Sequence, residues 1–173
     1  MILKMLSFVI ILTVVFHTCL SELDVLYPSE PCTEAKNQNA YDTFMDHHLS
    51  KHTPNTLKKR EWQKFIDRIK TWNRTIQSFF PYSEESRVIA VCSSGGKMYE
   101  GNLCISKKPL KFYTAKINDR KQVERVIIQK QHVILGCDKI KIINKCLPIH
   151  FKANLNDSRP DDNKPDCSKA MVF

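Results

Sequence analysis

A chain of 173 residues that is 42% apolar can bury one ordinary core, and nothing in its length demands a second domain. Its 27 lysines and arginines against 18 acidic residues leave a net charge of +9, which favours anionic partners: nucleic acid, heparin-like glycans or anionic membranes. No apolar run approaches the roughly 20 residues of a membrane span, which excludes a helical membrane protein.

In chain order, "MILKMLSFVIILTVVFHTCLS" places a lysine before an apolar run from Met5 to Phe16, then small or polar residues. This is the layout of an export signal spanning 1–21 and cut after Ser21, so the mature protein is expected to be secreted and extracellular. Cleavage removes Lys4, leaving +8, and Cys19, leaving Cys32, Cys92, Cys104, Cys137, Cys146 and Cys167. Six cysteines in an oxidising compartment read as three disulfides among 15 possible connectivities. None has the tight CxxC spacing of a structural zinc site, so no metal is expected.

Between Thr33 and Ser50, Tyr41, Phe44, Met45, His48 and Leu49 recur at helical spacing, which puts His48 on the apolar face. A second, basic amphipathic helix is expected from about Thr56 to Trp72, with Trp62, Phe65, Ile66, Ile69 and Trp72 as its stripe. After Phe80-Pro81 the character becomes β: "RVIAVC", "KMYEGNLCIS", "LKFYTAKI", "VERVIIQKQHVILGC" and "CLPIHFKANL" read as strands. The fold class is therefore α+β, with helices first and an antiparallel sheet after them. One domain is expected over 22–155, followed by a polar tail at 156–173 that is ordered mainly if Cys167 pins it. Asn73-Arg74-Thr75 and Asn156-Asp157-Ser158 are N-glycosylation sequons.

"YDTFMDHHL", followed about a hundred residues later by "VILGC" and "CLPIHF", resembles the pancreatic-type ribonuclease (ribonuclease A) superfamily, especially its fish and angiogenin-like members. The resemblance runs from about Ala40 to Phe151. It implies a kidney-shaped, disulfide-stabilised domain in which helices pack on a curved antiparallel sheet, acting as a monomer on single-stranded RNA without cofactor or metal. The family's two catalytic histidines fall on His48 and His150, and Phe151 follows the second. The family's Cys-Lys-x-x-Asn-Thr-Phe becomes "NRTIQSF", so Arg74 takes the place of the catalytic lysine, Gln77 the asparagine, Ser78 the base-reading threonine and Phe79 the phenylalanine. A register shifted by one would place Thr75 and Phe79 at the lysine and threonine and leave no cation there. His47 replaces a glutamine that touches phosphate in the family. His52 and His132 read as surface residues. Where the family has a carboxylate after the second histidine, this chain has Lys152. By resemblance, Cys92 pairs with Cys137 and Cys104 with Cys146, and Cys32–Cys167 completes the set. Two of the family's usual cysteine pairs are missing, including the partners expected near Ala115 and Arg125.

The chemistry explains the residue types. Cleaving RNA without a metal needs one imidazole to take the 2′-OH proton and a second, protonated one to give a proton to the leaving 5′-oxygen, and histidine holds both forms near neutral pH. A fixed cation then meets the charge that grows on the phosphate oxygens. Arginine carries that charge on a planar fork, not a compact ammonium, so the sequence implies weak cleavage. The alternative reading is a catalytically impaired cationic protein of defence or signalling that binds anionic surfaces, glycans, membranes or a receptor.

Overall fold

The computed structural model describes residues 30–71 and 73–168. The expected export signal, with Cys19, and Trp72 of the second apolar stripe lie outside the described residues. Helix α1, Ala40–His48, is shorter than the span of its apolar periodicity. Phe44 and Leu49 are buried, and His48 follows Phe44 by one turn on the same face, with the two rings 5.2 Å apart. Helix α2, Lys59–Ile69, buries Trp62, Phe65 and Ile66 and ends where Lys70 turns left-handed at φ 55°.

"RVIAVC" is not a strand. Arg87–Ala90 belongs to a short helix α3, Glu85–Ala90, because the fully buried positions of the stretch, Val88, Val91 and Cys92, follow at three and four residues and not at two. The 2.6 Å ion pair between Arg87 and Glu84, three residues apart, suits the same geometry. "KMYEGNLCIS" folds back on itself at Gly101, where φ is +53°. This gives β2, Gly96–Met98, and β3, Leu103–Ser106, in antiparallel register. "VERVIIQKQHVILGC" likewise splits into β5, Val123–Gln131, and β6, Ile134–Ile140. The other strands are β1, Ile76–Phe79, β4, Leu110–Ile117, and β7, Lys145–Lys152.

The strands form two antiparallel sheets, one in the order β1-β4-β5 and one in the order β2-β3-β6-β7. Trp62, Phe65 and Ile66 of α2 pack on Phe79, Tyr113, Ala115 and Ile117 of the three-stranded sheet. Ala115 is wholly buried there, so apolar packing fills the neighbourhood in which the resemblance implied a cysteine. A second core joins Phe44, Leu49 and Val88 to Leu135 and to all six described cysteines.

Cys92–Cys137 forms, whereas the other four cysteines pair as Cys32–Cys146 and Cys104–Cys167. The expected Cys104–Cys146 and Cys32–Cys167 bonds are therefore corrected, for two reasons of chain path. The segment before α1 runs beside β6, with Cys32 N donating to Cys137 O and Lys139 N to Thr33 O, and Lys139 in turn sits opposite Cys146. The tail runs back along β2. Met98 N donates to Pro165 O, Lys97 bridges to Asp166, and Met98 pairs with Cys104, so Cys167 arrives at Cys104. Asp166 accepts from both Lys97 (3.2 Å) and Lys107 (2.8 Å), and their ammonium groups hold its carboxyl below the usual range.

Candidate active site

Three local features bring the histidines to one place. Phe80 N donates to His48 O at 2.7 Å, which ties the end of α1 to the strand after the basic helix. The β6–β7 register slips by one between Gly136 and Cys137, leaving Ile149 as an extra residue in β7, a bulge that sets the direction of His150. Gly136 lies opposite His150, and a Cβ there would come within 3.1 Å of the His150 Cβ, so a side chain at 136 would crowd it.

The resulting cleft, about 330 Å³, is lined by His48, Arg74, Ile76, Gln77, Ser78, His150, Phe151 and Ala153. His48 is half-buried and His150 exposed. The His48 Nδ1 lies 2.8 Å from Ser78 O. A carbonyl can only accept, so Nδ1 carries the proton and Nε2 is left as a free base. Phe151 stacks on the His48 ring at 5.6 Å and meets Phe80 and Phe112 edge-on, each at 5.7 Å. Apolar walls have an electrostatic consequence. Burial pushes the His48 imidazolium down to about 4, against the opposing carbonyl of Ser78, and the charges of His47, Arg74 and His150 push the same way as burial. His150 is also lowered, first by burial, then by Arg74 and Lys152.

Arg74 is exposed, faces the cleft and lowers the proton affinity of His47, His48 and His150 alike. Its position is held by Gln77. That side chain is buried and donates to Thr71 O (2.6 Å) and Arg74 O (3.3 Å), so its amide hydrogens are spent on the loop carrying the arginine. Ser78 Oγ lies 3.0 Å from Thr114 Oγ1, which donates to Gln129 Oε1. Since that hydroxyl hydrogen is committed, Thr114 accepts from Ser78, and Ser78 is left showing lone pairs to the cleft. The sequence motif did not reveal Thr114 and Gln129; their place beside Ser78 comes from the β1–β4–β5 pairing, in which Ser78 faces Thr114 and Phe112 faces Gln129.

His47 stands outside the lining, its ring 6.4 Å from that of His48. His132 is pinned at 2.7 Å to Ser106 O and His52 is exposed. Lys152 points to Glu100 at 3.7 Å. Among the described residues no group hydrogen-bonds the His150 imidazole. Asn73 and Asn156 are both exposed.

No family model and no curated protein matches the chain. Solved structures do match. Green turtle egg white ribonuclease superposes with a TM-score of 0.53 at 18% identity, covering 66% of this chain and 97% of that one. Zebrafish RNase5 gives 0.51 at 18% identity over 66% and 93%, and SS-RNase-2 des116-120 gives 0.52 at 18% identity over 69% and 97%. At this identity the likeness establishes the fold: the chain has a ribonuclease A-type α+β architecture.

Proposed function

We propose that this chain, built on the ribonuclease A-type fold, is a secreted, monomeric, metal-independent endoribonuclease acting weakly on single-stranded RNA. The observation that carries the reading is that His48, Arg74 and His150 line one cleft, with His48 held in the tautomer that frees Nε2. In the proposed step, Nε2 of His48 takes the proton of a ribose 2′-OH and the 2′-oxygen bonds to the adjacent phosphorus. The bond to the 5′-oxygen breaks, and that oxygen receives the proton held by His150, leaving a 2′,3′-cyclic phosphate and a free 5′-OH. Arg74 meets the extra charge on the phosphate oxygens, and Ser78 reads the base. Because the nucleophile is the 2′-OH, DNA is not a substrate.

Weakness follows from the acid side. Burial, Arg74 and Lys152 all oppose protonation of His150, and no described partner fixes its ring. That observation favours the second reading, a cationic protein of defence or signalling on this scaffold. The mature protein is proposed to begin at residue 22, and exposure of Asn73 and Asn156 is compatible with glycans at either. Purified, oxidised protein incubated with single-stranded RNA in excess chelator tests the proposal. Cleavage that is lost in His150→Ala is expected, and wild-type protein no more active than His150→Ala would leave only the binding reading.

A further inference from the structure

The turn between β6 and β7 breaks the usual chemistry of turns. The β4–β5 turn is ordinary by comparison: it is the polar run 118–122, in which the Asn118 side chain accepts from the backbone N–H of Arg120 and Gln122. The β6–β7 turn instead reads Lys141-Ile142-Ile143-Asn144, a single 3-10 turn closed by Asn144 in the left-handed region at φ 50°. Ile142 is 81% exposed and Ile143 48% exposed. A lone exposed isoleucine is commonplace. Two adjacent ones at the tip of a hairpin, where neither contributes to a strand or core, leave apolar surface aimed at solvent.

The surroundings of this tip are cationic. Lys139 and Lys141 precede it and Lys145 follows it, against Glu34, which lies 3.3 Å from the Lys141 ammonium, and Asp138, which is buried and accepts from Asn102. The turn is also braced from behind: Lys141 N donates to Gln38 Oε1, Lys139 N to Thr33 O, and Cys32–Cys146 anchors the start of β7. A stiff apolar point flanked along the chain by lysines matches the layered chemistry of an anionic bilayer, in which negative headgroups lie over hydrocarbon.

We infer that the β6–β7 turn is a membrane-docking tip, in which Ile142 and Ile143 enter the interfacial layer of an anionic phospholipid bilayer while Lys139, Lys141 and Lys145 contact its headgroups. His150 lies five positions along β7 from Lys145, roughly 17 Å at strand rise, so docking leaves the cleft open. The inference stands apart from the ribonuclease reading, because neither isoleucine nor these lysines line the cleft.

The test is co-sedimentation of oxidised protein with vesicles of phosphatidylcholine alone and of phosphatidylcholine with about a third phosphatidylglycerol. Binding to the anionic vesicles only is expected. Ile142→Ser with Ile143→Ser should weaken it about tenfold or more at unchanged net charge. Lys141→Glu with Lys145→Glu should weaken it by more than about 25-fold, since each cation near such a surface is worth roughly fivefold. Thermal melting and RNA cleavage of both variants check that the fold persists. In Ile142→Trp, the emission gained over wild type should be quenched by brominated lipid. Wild-type binding by the serine pair would mean adhesion by net charge alone and overturn the inference, as would an unquenched tryptophan. Dependence on the isoleucines for capture of a soluble protein, without vesicle binding, would overturn it too.

Discussion

Arg74→Ala should change both the height and the position of the pH–rate profile. Arg74 lowers the proton affinity of His48 and His150 while lining the same cleft. The proposed step needs His48 neutral and His150 protonated, so its acid limb would belong to His48, at about 4, and its alkaline limb to His150, below the ordinary 6.5. The wild-type optimum is therefore expected between these, on the acid side of neutrality. Removing the guanidinium raises both imidazoles, which moves both limbs and the optimum to higher pH. Loss of one preorganised charge at the phosphate should lower the maximum about 10²–10³-fold. Arg74→Lys keeps the charge and should retain most of the position of the profile. The assay is kcat/KM on a short pyrimidine-containing RNA from about pH 3.5 to 8, bracketing the model-peptide histidine value. An Arg74→Ala profile that coincides with wild type in height and position would show that the arginine acts outside the cleft.

Stability should also fall in acid. The folded value of His48 is depressed, so the unfolded chain binds more protons between pH 6.5 and about 4, and the stabilising contribution is complete above that window and lost as pH falls through it. The loss is about 3 kcal/mol, read as the amount by which urea unfolding of wild type at pH 4 and pH 7 differs more than that of His48→Gln. Because Thr114 donates to Gln129 and leaves Ser78 as an acceptor, uracil, with a hydrogen on N3, should be preferred to cytosine. Gln129→Leu frees the relay and should narrow that ratio in paired dinucleotide assays. Gly136→Ala would set a Cβ at 3.1 Å from the His150 Cβ and force a shift of a few tenths of an ångström. Since about 1 Å of misplacement costs roughly 10²-fold, a five- to tenfold loss of kcat with an unchanged melting temperature is expected.

The sequence showed the cleft more fully than the frame that holds it. His48 and His150 were legible because each sits in a motif carried by its own element, a helical apolar face and a strand ending in Phe151. Arg74 depended on choosing a register, a choice that no local periodicity decides; in the structure it lines the cleft beside the two histidines. "RVIAVC" misled because Val, Ile and Cys favour strands by type, while burial of Val88 and Val91 at three-residue spacing made the stretch a helix. The disulfide partners of Cys32 and Cys104 depended on where two flanking segments run, beside β6 and along β2, and no local periodicity encodes such a path. Gln77 could be found as part of the site, but its commitment to the carbonyls of Thr71 and Arg74 could not.

The most direct test of the central claim is the product. Wild-type protein, oxidised and in excess chelator, is incubated with a short RNA holding one pyrimidine, and the ends are identified by mass spectrometry. The account predicts a 2′,3′-cyclic phosphate and a 5′-OH, absent with a 2′-O-methyl substrate and reduced about 10²–10⁴-fold in both His48→Ala and His150→Ala. Cleavage that yields other ends, that survives the 2′-O-methyl group, or that persists in either histidine variant would contradict it.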